Sequence, residues 1–118
     1  MAQQVSGVMC FSADIPVTGS TLTLAVPEGW MVLEVIMNIQ TSLGGTDTVL
    51  VGVDNDTDAF LADADVGTGA AGYYRASEGT AANANGLKIA SGRTVVIVRN
   101  TYTSGGGEVY VYAASVVA

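Results

Sequence analysis

At 118 residues the chain has the length of one domain, and 11 acidic against four basic residues give it a net charge of −7. Arg75, Lys88, Arg93 and Arg99 are too few to build the basic patch that nucleic acid or an anionic membrane surface requires, so neither is an expected partner. The chain contains no histidine, which removes the commonest general base near neutral pH and the commonest metal ligand.

The N-terminal Met1-Ala2-Gln3-Gln4-Val5 lacks the basic start and apolar core of a signal peptide, and no apolar run reaches membrane-spanning length. The first strand is expected over Gln4–Phe11. Its Val8-Met9-Cys10-Phe11 run makes Cys10, the single cysteine, a candidate buried small hydrophobe. Thr21–Val26 alternates, with Leu22, Leu24 and Val26 on one face, before Pro27-Glu28-Gly29 turns the chain. Trp30–Gln40 is the longest predicted strand. Met31, Leu33, Val35, Met37 and Ile39 share one face, and Glu34, Asn38 and Gln40 mark the other. Gly44-Gly45 turns into a Val-rich strand over Thr48–Val53, and the two strands together predict a β-hairpin.

Asp54–Ala71 is rich in Asp, Ala and Gly and is expected to be a long loop, with a short helix at Ala59–Ala62. Gly72–Ala76 follows as a strand, then a second loop over Glu78–Gly86 that ends in the Asn85-Gly86 turn pair. The remaining predicted strands are Leu87–Ala90, Arg93–Tyr102 and Glu108–Val117. In the last, Val109 and Val111 face one way and Tyr110 and Tyr112 the other. About eight short strands, with 12 Thr and 15 Gly in support and no helix of useful length, predict an all-β fold. The expected architecture is one antiparallel, jelly-roll-like β-sandwich over residues 1–118.

No catalytic constellation emerges. Cys10 has no histidine partner, and the glycine-rich runs lie between strands rather than before a helix. Asp54, Asp56 and Asp58 alternate along one segment, with Asp63 and Asp65 after them. Such a run either curls around a hard cation such as Ca²⁺ or forms a solvated acidic loop. The EF-hand pattern fails, because Ala59 stands where glycine is needed and Asp65 where glutamate is. No other cofactor is implied. Trp30, opening the longest strand, is a candidate core or interface anchor. Tyr110 and Tyr112 are candidates for subunit packing or for stacking on a sugar. Charged residues make up only 13% of the chain. Either the surface is neutral and Thr-rich, or neighbours in an assembly cover much of it.

Residues 27–75 resemble small structural proteins of tailed bacteriophages, which include head decoration (cement) proteins and small head or tail fibre components. The resemblance lies in the Pro27-Glu28-Gly29-Trp30 turn entering a long apolar strand, and in the Thr41–Thr46 turn leading to a Val-rich strand through Gly52. It continues in the acidic segment ending in Asp58-Ala59-Phe60-Leu61 and running on to Gly72-Tyr73. Asn55 departs from the pattern, which has an acidic residue there. The resemblance implies a virion protein without catalytic residues, most simply a decoration protein on the outer surface of the head. As such it would form trimers, contact the major capsid protein, and be assembled in the bacterial cytoplasm. The alternative is a tail- or fibre-associated module that binds a receptor or glycan.

Overall fold

The computed structural model describes residues 4–79, 87–89 and 93–117. The expected Asn85-Gly86 turn and most of the Glu78–Gly86 loop lie outside the described residues. Among the described residues, nine strands form two antiparallel sheets. The long sheet has the order β1 (Gln4–Asp14), β9 (Gly106–Val117), β3 (Trp30–Thr41), β6 (Gly72–Arg75), and the two-residue β7 (Leu87–Lys88) also pairs with β3. The short sheet has the order β2 (Thr21–Leu24), β8 (Val95–Arg99), β4 (Val49–Val53), β5 (Asp56–Leu61). The expected all-β antiparallel sandwich is the observed fold. Its interleaved strand order is compatible with a jelly roll.

Three long strands in one sheet against strands of four to six residues in the other stretch the molecule to 51 × 25 × 21 Å. The core fills the space between the sheets. Val35, Met37, Ile39, Val109 and Val111 enter from the long sheet, and Val49, Val51, Phe60, Leu61, Val95 and Ile97 from the short one. Burying each such side chain contributes about 1.5–3 kcal/mol, which offsets the entropy of ordering the chain.

Three local expectations are corrected. In β3 the alternation holds from Val35 onward, but a register shift between Val32 and Glu34 moves the buried position to Val32, leaving Met31 and Leu33 only half-buried. β3 and β4 are not a hairpin: they belong to different sheets, and the connection over 42–48 crosses the sandwich. The Asp54–Ala71 segment is not a loop with a helix at Ala59–Ala62. Residues Asp56–Leu61 form edge strand β5, and the single helical turn, α1, falls at Asp63–Val66. Burial of Ala59, Phe60 and Leu61 outweighs their local helix preference. β5 passes so close to β4 that any Cβ at Gly52 would collide with the backbone of Asp56 and Thr57.

The β3–β4 crossing is held by a buried ion pair that nothing in the sequence pattern marks. Arg99, at the end of β8, is 1% exposed and donates from Nη2 to Asp47 Oδ2 at 2.8 Å. Its other donors reach the carbonyls of Thr101, Pro16, Gly105 and Ser104 at 2.8–3.1 Å, so all five N–H groups are used. Asp47 also accepts from the hydroxyls of Thr101 and Thr103 and from the backbone N–H groups of Thr103 and Ser104. The Tyr102 ring lies against the guanidinium, 4.5 Å from its centroid. Gly105, at φ +84°, completes the cradle, and a side chain there would strike the Ser42 carbonyl.

Burial would by itself raise the Asp47 carboxyl pKa. The hydrogen bonds from the Thr103 backbone, Arg99, the Thr103 hydroxyl and the Ser104 backbone outweigh it and hold the group well below the usual carboxylate range. A depressed folded-state pKa stabilises the protein above the unfolded value of about 3.9 and loses that stabilisation as pH falls below it. Replacing Arg99 by Met would strand the Asp47 charge and four carbonyls, and should lower the melting temperature at pH 7 by about 10 °C or more. Asp47→Asn should also melt lower at pH 7, but its melting temperature should fall less steeply than that of wild type from pH 4 to pH 2 in a calorimetric series.

Candidate functional site

The outer face of the long sheet carries the side chains that the core does not use. Cross-strand register places Tyr110 of β9 between Ser12 of β1 and Ile36 of β3, with Arg75 of β6 beyond Ile36. One row over, Glu108 lies between Asp14 and Asn38, and Asn38 pairs with Tyr73. In the next row Tyr112 lies between Cys10 and Glu34. Ile36, Asn38, Tyr73, Arg75, Tyr110 and Tyr112 line a cleft of about 230 Å³. The expected outward-facing tyrosine pair is therefore part of a three-tyrosine cleft.

Tyr73, Arg75 and Asn38 were not singled out in the sequence. The available signal was the Tyr73-Tyr74 dipeptide in a strand, where neighbours must point to opposite faces. Tyr74 packs against the core and donates to the Ala70 carbonyl at 2.6 Å, while Tyr73 is 69% exposed.

The Tyr110 hydroxyl titrates above its ordinary value, first because Glu108 accepts a hydrogen bond from the protonated phenol, then because of partial burial and the Glu108 charge. Tyr112 is also raised, chiefly by the neighbouring Cys10 sulfur and then by partial burial, with Arg75 opposing. Glu34, at the margin of the cleft, accepts from the backbone and hydroxyl of Ser77.

Cys10 is not buried. Phe11 packs against the core, so the alternation of β1 turns Cys10 to the outer face beside Tyr112, where it is exposed. Trp30 is half-buried at the rim of the sandwich. It packs against the core and meets the Phe11 ring edge-on at 5.8 Å. The β1–β2 edge of the sandwich holds a second concavity of about 460 Å³, bordered by Ile15, Pro16, Val17 and Leu22. Val8, Met9, Val17 and Leu22 are exposed along this side.

The three candidate metal aspartates do not converge. Asp54 lies 3.7 Å from Arg93 and accepts weakly from the Thr94 N–H. Asp56 and Asp58 lie side by side on β5. The carboxyl of Asp56 is pushed up, first by hydrogen bonding to Asp58, then by burial and by the Asp58 charge. Among the described residues no three acidic or cysteine side chains are grouped as a metal centre requires.

The chain matches no protein-family model and no curated protein sequence. Its fold, however, recurs in solved structures. It is the fold of chains found in phage capsids. A chain in the acid-stable capsid structure of Helicobacter pylori bacteriophage KHP30 superposes with a TM-score of 0.69 at 18% identity, covering 98% of this chain and 95% of its own length. A chain in the cyanophage Pam1 capsid asymmetric unit gives 0.59 at 23% identity, with 96% and 86% covered. One in the capsid of Ralstonia phage GP4 gives 0.59 at 22% identity, with 97% and 86% covered.

Two measurements test the site geometry. Ellman's reagent should titrate the Cys10 thiol in the folded protein without denaturant, and a thiol that reacts only after unfolding would return Cys10 to the interior. Millimolar Ca²⁺ should leave the melting temperature unchanged, because Asp54 is engaged with Arg93 and two adjacent carboxylates make a poor site for a cation that takes six to eight oxygen ligands.

Proposed function

We propose that the protein is a virion structural protein of a tailed bacteriophage, a decoration protein that sits on the outer surface of the head and braces the shell. The observation that carries this reading is the end-to-end match to a separate chain of nearly the same length in a capsid structure, 98% of this chain against 95% of the other. The correspondence is to a whole small capsid component rather than to one domain of a large one. The net charge of −7 supports an outward location, since packaged DNA is a polyanion and favours basic neighbours. The protein acts by binding, with no catalytic step.

In this reading the major capsid protein is the partner, and trimers are the assembled form. The apolar side chains along the β1–β2 edge, Val8, Met9, Val17 and Leu22, offer contact area at a place where both sheets end in an edge strand. Each contact is small. Many copies acting together on one particle supply the stabilisation, because each copy that bridges two capsid subunits makes the second contact effectively intramolecular.

Virions purified without this protein should assemble and package DNA, yet release it at a lower temperature than wild type. Quantitative mass spectrometry should find hundreds of copies per wild-type particle. Particles of equal thermal robustness that fail to adsorb to host cells, with only a few tens of copies in the wild type, would move the protein to the tail as a receptor-binding module. The tyrosine cleft is the feature that favours this second reading.

A further inference from the structure

We propose that the cleft formed by Tyr73, Tyr110, Tyr112, Asn38 and Arg75 is a binding site for a neutral pyranose ring of a glycan. The inference goes beyond the structural role and holds whether the protein sits on the head or the tail.

The site is rigid. Its side chains rise from three neighbouring strands, β6, β3 and β9, whose register is fixed by two ladders. Its volume of about 230 Å³ suits one sugar ring with its hydroxyls rather than a larger ligand. It also holds unspent hydrogen-bonding capacity. Among the described residues, neither the Asn38 amide nor the Tyr73 hydroxyl has a partner. Arg75 has only a loose 3.8 Å contact with Glu78, between two well-exposed side chains.

The chemistry of the lining selects the ligand. Tyrosine faces accept the C–H face of a pyranose, while the Asn38 amide and the forked Arg75 guanidinium can reach adjacent hydroxyls at its edge. The backbone of β3 and β9 beneath the cleft is consumed by the sheet ladders, so its floor offers no groups to an extended peptide; only the outer edge of β6 keeps free ones. Charge argues against an anion. Among the described residues Arg75 is the one cation lining the cleft, Glu108 adjoins Tyr110, and the chain as a whole is acidic. A neutral polyol with one apolar face fits what remains.

The test uses the full chain and saturation-transfer difference NMR. The probes are the methyl glycosides of glucose, galactose, mannose and N-acetylglucosamine, together with β-linked trisaccharides of each. At least one sugar should receive magnetisation and in turn shift the ring resonances of Tyr73, Tyr110 and Tyr112, with trisaccharides binding more tightly because the cleft is open. Tyr73→Ala and Asn38→Ala alter half-buried or exposed side chains on a strand face and should keep the wild-type melting temperature. Each should weaken binding by about tenfold. Val17→Ser, on the far β1–β2 edge, should bind as wild type does. The proposal fails if no probe binds. It fails equally if binding survives Tyr73→Ala, or if a proline-rich peptide shifts the same rings when no sugar does. None of these results depends on virion location or copy number, so failure here leaves the structural role standing on its own test.

Discussion

The sandwich depends on one buried cation. Arg99 ends β8 in the short sheet, yet its guanidinium gathers the carbonyl of Pro16, from the β1–β2 crossing, and those of Thr101, Ser104 and Gly105, from the β8–β9 crossing. Asp47 brings in the β3–β4 crossing and neutralises the charge. Three connections that pass between the sheets at one end are thereby tied to a single planar group. Desolvating an arginine is costly, and the cost is met only because every donor has an acceptor and the carboxylate is itself surrounded by donors. A lysine could not substitute, since a point charge with three donors cannot reach acceptors spread around a plane.

With that end closed, the two sheets can differ in length. The short sheet covers only part of the inner face of the long one, which explains why Met9 is exposed and Trp30 half-buried despite lying on the core-facing side. The outer face of the long sheet, freed from packing duty, carries tyrosines, an arginine and an asparagine in register, and it is here that the fold places its recognisable chemistry.

Much of this was legible in the sequence where a segment's own pattern decides its state. Val49, Val51 and Val53, and Val109 with Val111, alternate cleanly because the strand has one buried face, and their burial follows. Tyr110 and Tyr112 point outward for the same reason. Pattern and structure part where a distant segment decides. β5 looks like a helix-prone acidic loop because its partner is β4 and its burial comes from the opposite sheet. The supposed hairpin of β3 and β4 fails because the turn residues Gly44 and Gly45 serve equally well in a crossing, and only Arg99, 52 residues from Asp47, selects between the two. Cys10 stands one residue out of phase with the core-facing Phe11, which in a strand means the opposite face. The cleft was half visible, since Tyr73 and Arg75 join it only through pairing with β3.

The central position of β9 shapes how the chain comes into being. On the ribosome β1 and β3 emerge early, and both must wait for the strand that separates them, which leaves the tunnel after all of its neighbours. Until then two long, apolar strands have free edges and no partner, and the Arg99 acceptors at Ser104 and Gly105 are not yet available. Non-local pairing of this kind closes in milliseconds to seconds rather than microseconds. During that interval the nascent chain exposes the most adhesive surface, and the net charge of −7 opposes its association with neighbouring copies.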